Sequence, residues 1–196
     1  LANWAASCGH KVVKIAQKDG HLEAVVRKGA AQPCTGVGGS ATSGALVLFS
    51  NDLDKALAAL IIATGMAAAG MQVSIFFTFW GLSVLRKHPG PQVKKSLLNA
   101  MFGWLLPKGA QKLALSKLHM AGLGTATMKH VMASQNVASL PEMLQSARAM
   151  GVKFIACDMA MGVMGITREE LIDVDEVAGV ATFIARAKES GPTLFI

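Results

Sequence analysis

Three cysteines, Cys8, Cys34 and Cys157, are the residues of this chain with the most chemistry to offer. They form no Cys-x-x-Cys pair and have no histidine partner at zinc spacing, so a structural zinc site is not expected. An odd number of thiols argues against a disulfide-stapled secreted fold and for a reducing, cytoplasmic setting. Cys157 stands apart by position. It closes the apolar run 152–157 (VKFIAC) and precedes Asp158, Met159, Ala160, Met161 and Gly162, which reads as a turn into a short helix. A thiol at a strand end facing a helix N-terminus can be held as thiolate, because unpaired N–H groups favour the anion. Asp158 acts in the opposite sense, and Lys108, Lys112, Lys117, His119, Lys129 and His130 are the basic residues that could offset it. The same pattern also suits a buried, inert cysteine closing a strand, and the spacing leaves both readings open.

Other chemistries find less support. The five histidines show no pairing pattern, and no Ser-His-Asp order or pair of carboxylates at catalytic spacing is present. The stretch 29–44 is rich in glycine (Gly29, Gly36, Gly38, Gly39, Gly44), yet no Gly-Lys-Ser/Thr ends it, so it reads as a linker and not as a phosphate loop. No nucleotide or other cofactor is called for. Two alternatives keep the thiol at the centre. Cys157 could act as a peroxidatic cysteine with Cys34 as its resolving partner. Cys157, Met159, Met161 and Met164 could instead offer soft ligands to copper(I), with Met120, Met128 and Met132 adding more, although methionine is more often core filler.

Charge is unevenly placed. The chain carries 19 Lys/Arg against 12 Asp/Glu, a formal net charge of +7, and between residues 55 and 141 there are nine basic residues and no acidic one. Such a segment collects anions, whether an acidic partner, an anionic substrate or an acidic lipid surface, or else forms a solvated positive face. Nucleic acid is not expected, because no aromatic residues interleave with the basic ones as stacking platforms.

The elements that must position the thiol follow from periodicity and punctuation. With 52% hydrophobic and 16% charged residues, the 196-residue chain can fill a sizeable core. Residues 2–9 read as a short helix, and 11–16 and 21–27 as strands joined by a Lys18-Asp19-Gly20 turn. After the linker come strands at 45–50, 71–79 and 152–157, with helices at 53–69, 92–106 and from a Ser139/Glu142 capping box to Met150. A Thr167/Glu170 capping box, a helix over 175–190 and a last strand at 193–196 complete the pattern. Apolar strands alternating with helices predict an α/β domain with a doubly wound, mainly parallel sheet covered on both faces. Ligands in such folds bind at the carboxyl ends of strands, which gathers Asn51, Asp52, Trp80 and Cys157 at one working edge. The thirty uncharged residues 56–85 are long enough to span a bilayer, but Gly70 divides them into a helix-like and a β-branched half, so a buried helix and strand fit better. Peripheral membrane contact through Trp80 or the 94–104 region stays open, because Lys and Trp suit an interface. Leu1 is followed by no charged n-region and small-residue cleavage site, so a secretory signal is not expected.

FIACDMAMGVMGI (154–166) followed by TREELID resembles the cysteine motif of DsrE/DsrF-like sulfur-transfer proteins. The stretches LVLFSNDLDKALAALIIATGMAAAGMQVSIFFTFWGL and LPKGAQKLALSKLHMAGLGT are similar to the larger, Met-rich branch of that family, sometimes labelled peroxiredoxin-like. This resemblance covers residues 44–196. It implies a doubly wound α/β fold, a homo-oligomer, and Cys157 as the cysteine that accepts sulfane sulfur as a persulfide and hands it on. Sulfur-carrier partners of the TusA or rhodanese kind follow from the same resemblance, and no metal or cofactor does. Gly162 stands where that branch leads one to expect an acidic residue, and Ala160 where it leads one to expect serine. Residues 1–28 resemble the C-terminal half of a TusA-like carrier, without a Cys-Pro motif; Cys8 and Cys34 do not replace it. The domain reading is therefore a partial TusA-like segment (1–28), a Gly-rich linker (29–44) and a DsrE-like α/β domain (45–196).

Overall fold

Runs of β-branched and aromatic residues such as QVSIFF and KFIAC lose little on being fixed as strands and bury well on both faces of a sheet. The computed structural model describes residues 5, 10–18, 21–29, 42–91, 107, 109–117 and 120–196. The expected helices at 2–9 and 92–106, the turn residues Asp19 and Gly20, and most of the 29–44 linker lie outside them, as do Cys8, Cys34, Lys108 and His119.

The chain forms two units, Leu1–Ser40 and Ala41–Ile196. In the first, β1 (Lys11–Lys18) and β2 (His21–Arg27) make an antiparallel hairpin with Ile15 opposite Ala24 and an irregularity between Val12 and Lys14. His10 Nδ1 accepts a hydrogen bond from the Gly29 amide at 3.4 Å.

The second unit holds β3 (Ser43–Leu48), α1 (Leu53–Ala68), β4 (Gln72–Phe77), a 3-10 segment (Phe79–Leu85), α2 (Leu123–Ser134), α3 (Leu140–Ala149), β5 (Lys153–Cys157), α4 (Asp158–Met164), β6 (Glu176–Ala178), α5 (Val180–Glu189) and β7 (Thr193–Phe195). Five strands form a sheet in the order β6-β5-β4-β3-β7, every neighbouring pair parallel. Alternation along the strands then assigns the faces. Phe77 meets Phe154 edge-on at 5.3 Å, and Arg148 of α3 lies 5.7 Å over the Phe154 ring, so α3 and the α1 helix packed on it cover that face. Phe76, pointing the other way, stacks at 4.8 Å on Phe183 of α5. The sheet is thus doubly wound, as the alternation of elements predicts.

Helix ends follow local chemistry. Both α1 and α3 close in a Schellman pattern: Gly70 and Gly151 take positive φ, while the amides of Met71 and Val152 reach back to the carbonyls of Met66 and Ala147. Ser139 and Glu142 form the expected capping box of α3. Asp52 occupies the N-cap position of α1, but its carboxylate does not cap the helix; it accepts from Ser50 at 2.8 Å and pairs with Lys55 at 2.7 Å. The segment expected as a helix over 175–190 is divided. Its first residues form the edge strand β6, because Asp175 completes the backbone of β5: its amide donates to the Phe154 carbonyl at 3.0 Å and its carboxylate accepts from the Phe154 amide at 2.8 Å. Gly179 then caps α5. Tertiary pairing overrides the local helical signal there. The sheet also begins earlier than expected, at Ser43. Gly44 lies inside β3, where a Cβ would stand 2.5 Å from the Met66 sulfur.

Two tertiary clamps hold the long connection between β4 and β5. Arg86 and Glu170 form an ion pair at 3.0 Å with both side chains buried, and the flanking backbones pair through Arg86 and Leu171. Asp54 on α1 accepts from the Ser116 amide at 2.9 Å and hydroxyl at 2.6 Å. Burial opposes the Asp54 charge, but the two bonds from Ser116 outweigh it and hold the carboxyl below its ordinary value of 3.8. Its stabilising contribution is fully present above that unfolded value and is lost as pH falls through the lower folded one. Asp54→Asn should therefore be less stable than the parent chain near neutral pH, with the gap in urea midpoints closing as pH drops below about 3.8. At Gly81 a Cβ would stand 2.0 Å from the Leu48 carbonyl oxygen. Gly81→Ala should accordingly lower stability by about 2–3 kcal/mol, read from the same urea titration.

Candidate functional site

Parallel pairing places the carboxyl ends of β3, β4 and β5 side by side: Leu48 is aligned with Phe77, and Phe77 with Ala156. The residues that follow these strands therefore meet at one edge. They are Ser50, Asn51 and Asp52 after β3, Thr78, Phe79 and Trp80 after β4, and Cys157 at the end of β5. The chain turns sharply there. Phe79 adopts φ +45°, a left-handed conformation that a bulky residue takes only under strain. The Gly81 amide then donates to the Phe49 carbonyl at 2.8 Å and to the Thr78 carbonyl at 3.0 Å, which lays the 3-10 segment against the end of β3.

Cys157 ends β5 and is the N-cap of α4, as the turn-into-helix reading anticipates. It is a free thiol and only 1% exposed. Among the described residues no side chain hydrogen-bonds its sulfur. Of the basic residues that could have supported it, Lys129 donates instead to the Gln111 carbonyl at 2.9 Å, and Lys112, Lys117 and His130 are exposed. The 3-10 segment packs against both β5 and α4. Within it Ser83 is fully buried with its hydroxyl unpartnered among the described residues. A serine inside the apolar run FWGLSVL carries no sequence signal of this kind, and only its packing singles it out.

The remaining expected residues separate. Trp80 is 42% exposed, and Asp52 is committed to Ser50 and Lys55. On the seven-residue α4, Met161 and Met164 point inward with Ala160, whereas Met159 is 54% exposed. The soft sulfur ligands grouped in the sequence are thereby split, with Cys157 and Met161 in the core and Met159 in solvent. A Cβ at Gly162 would enter open space, with no heavy atom within 4 Å of it.

A cleft of about 650 Å³ opens where α1 and α3 begin, lined by Leu53, Gln111, Lys129, Met132 and Leu140 among others. Cys157 does not line it. Strand alternation accounts for this: Cys157 shares the face of Ile155 and Phe76, opposite to the one that α1 and α3 cover. Among the described residues no helix is long and apolar enough to cross a membrane.

A five-stranded parallel sheet covered on both faces, with a cysteine at the junction of an interior strand and a short helix, defines a doubly wound α/β protein. Residues 41–195 match the DsrE/DsrF/DrsH-like family, and the chain belongs to it. Over 151 residues it is 48% identical to YrkE of Bacillus subtilis, described as uncharacterised, covering 77% of this chain and 94% of the relative. Over 156 residues it is 38% identical to the sulfur carrier protein DsrE2 of Allochromatium vinosum, covering 78% and 96%. The ychN protein from E. coli matches at 9% identity with a TM-score of 0.45, over 79% of this chain and 99% of that one, and the family assignment does not lean on it. None of this extends the family over residues 1–40, so the TusA-like resemblance of the hairpin unit stands outside the assignment.

Burial of Cys157 carries a kinetic consequence. With Cys8 and Cys34 changed to serine, iodoacetamide should modify Cys157 in the folded chain at least about tenfold more slowly than in the urea-unfolded chain, followed by intact-mass spectrometry.

Proposed function

We propose that this protein is a sulfur carrier that takes up sulfane sulfur on Cys157 and passes it to a partner. The observation that carries the reading is membership of the DsrE/DsrF/DrsH-like family together with 38% identity across nearly the whole of a relative named as a sulfur carrier. The placement of Cys157 at the carboxyl edge of a central strand supports it, since this edge is where doubly wound folds present reacting groups.

The chemistry is thiol exchange. The Cys157 thiol loses its proton to solvent, and the thiolate attacks the outer sulfur of a donor persulfide. The new Cys157 S–S bond forms as the donor's S–S bond breaks, and the donor leaves as a thiolate. The second half-reaction is the same step in reverse sense, with the partner's thiolate attacking the outer sulfur on Cys157. No net oxidation occurs, and no metal or cofactor takes part. At 1% exposure the thiol is shielded from water, which suits storage of a persulfide; transfer then requires that a docking partner uncover it.

Partners of the TusA or rhodanese type fit this chemistry; the hairpin unit brings no Cys-Pro thiol, so the partner supplies the second thiol of the relay. Exposed apolar residues Val180 and Ile184 on α5 and Phe195 on β7 support self-association. The basic stretch between residues 55 and 141 suits acidic partner surfaces.

Incubation with polysulfide or a persulfidated carrier, followed by intact-mass spectrometry, should add increments of about 32 Da, one sulfur atom per exchange step. The increments should vanish in Cys157→Ser and persist in Cys8→Ser and Cys34→Ser. Increments that survive Cys157→Ser would place the accepting thiol elsewhere and end this reading.

A further inference from the structure

The α1/α3 side of the sheet carries a second cleft, of about 420 Å³, whose chemistry is unrelated to the thiol. Four of its lining residues are basic in type: Arg86, Lys87, His88 and Arg148. Val84, Leu144 and Ile172 give it apolar walls, and none of its described lining residues is acidic. Arg86 is buried and bound to Glu170, which fixes it in place. Arg148 on α3 donates to the Asp173 carbonyl and meets the Asp173 carboxylate at 3.1 Å, while Arg168 meets the same carboxylate at 3.7 Å. One carboxylate is thereby shared by two guanidinium groups. Lys87 Nζ donates to the Glu169 carbonyl at 3.0 Å and its charge also acts on the Glu169 carboxylate, helping to hold it ionised, while His88 is exposed. Glu169, Glu170 and Asp173, the carboxylates that neighbour these cations, lie outside the lining.

Charge balance over the neighbouring sequence points the same way. Residues 84, 86–89, 110, 111 and 141 of the lining belong to the stretch from 55 to 141, which contains no Asp or Glu. A concave site whose lining offers cationic donors and apolar walls, with its carboxylates outside the lining, is complementary to an anion that has a hydrophobic part.

We propose that this cleft binds a small, soluble organic anion, a carboxylate or phosphate ester with an apolar body. Lys87, His88 and Arg148 hold the oxyanion, and Val84, Leu144 and Ile172 receive the body. Arg148 contributes a planar two-donor fork suited to carboxylate and phosphate oxygens, and Lys87 a point charge. This site is independent of the sulfur-carrier reading, since Cys157 lies on the other face of the sheet and takes no part in it.

Titration calorimetry of the full chain with 3-phenylpropionate and with phenyl phosphate tests the proposal. Both should bind saturably, and the neutral 3-phenylpropanol should bind at least about tenfold more weakly, the worth of one charge-assisted hydrogen bond. Lys87→Gln/His88→Gln, two exposed positions whose exchange leaves the core intact, should weaken the anions by about tenfold or more. Lys112→Gln, outside the lining, should leave binding unchanged. Absence of saturable binding, equal binding of the alcohol, or equal loss in Lys112→Gln would overturn the proposal. So would inorganic phosphate binding as tightly as phenyl phosphate, because the apolar walls would then play no part. Flotation with phosphatidylglycerol vesicles separates the sources: co-flotation abolished by the double variant would replace a soluble ligand with a lipid headgroup.

Discussion

The parallel pairing of β3, β4 and β5 is the constraint on which the rest of this structure depends. Parallel strands cannot be joined by tight hairpins, so each connection crosses a face of the sheet and covers it. Because Leu48, Phe77 and Ala156 share one level, the segments after each strand emerge together. The thiol, the strained Phe79 and the paired Asp52 all follow strands that end at one edge through that register, although more than a hundred residues separate Asp52 from Cys157 in sequence.

The same register explains why the site is closed. Cys157 is the last residue of its strand and the first of the turn into α4, and the 3-10 segment after β4 packs over both. The Gly81 backbone lies so close to the Leu48 carbonyl that no side chain fits between them. A thiol in such a position is shielded from water and from small oxidants. On the sulfur-carrier function we propose, storage and delivery would make opposite demands on one residue, which a partner that displaces part of the cover would reconcile by binding energy.

Polarity is distributed by face. The carboxyl edge holds the thiol with few charges of its own, while the basic residues after β4 and at the end of α3 frame a separate cleft beside α3. Buried charge is tolerated where it is paired, as in Arg86 with Glu170, and that pair ties the exit of the 3-10 segment to the loop after α4. The two regions are linked by covalent continuity and shared packing, yet their chemistries stay distinct.

Much of this was legible in the sequence because local rules and tertiary needs agree. Alternating apolar strands and capped helices specify a covered parallel sheet, VKFIAC ends in a strand-terminal cysteine, and the 154–166 motif carries the family. Where the two levels disagree, sequence reasoning fails. Residues 176–178 look helical but pair as an edge strand, since Asp175 satisfies the Phe154 backbone from twenty-one residues away. Asp52 takes the N-cap position of α1 but spends its carboxylate on Ser50 and Lys55. The methionines around Cys157 look like one cluster but divide between core and solvent, because helical rotation sends Met159 and Met161 to opposite sides. Residue type and spacing determined which atom could react and at which edge it would sit. Only the tertiary structure decided that it would be buried, which cations would be engaged elsewhere, and that an anion cleft would form on the other face, because burial and charge pairing are properties of surfaces brought together by the fold.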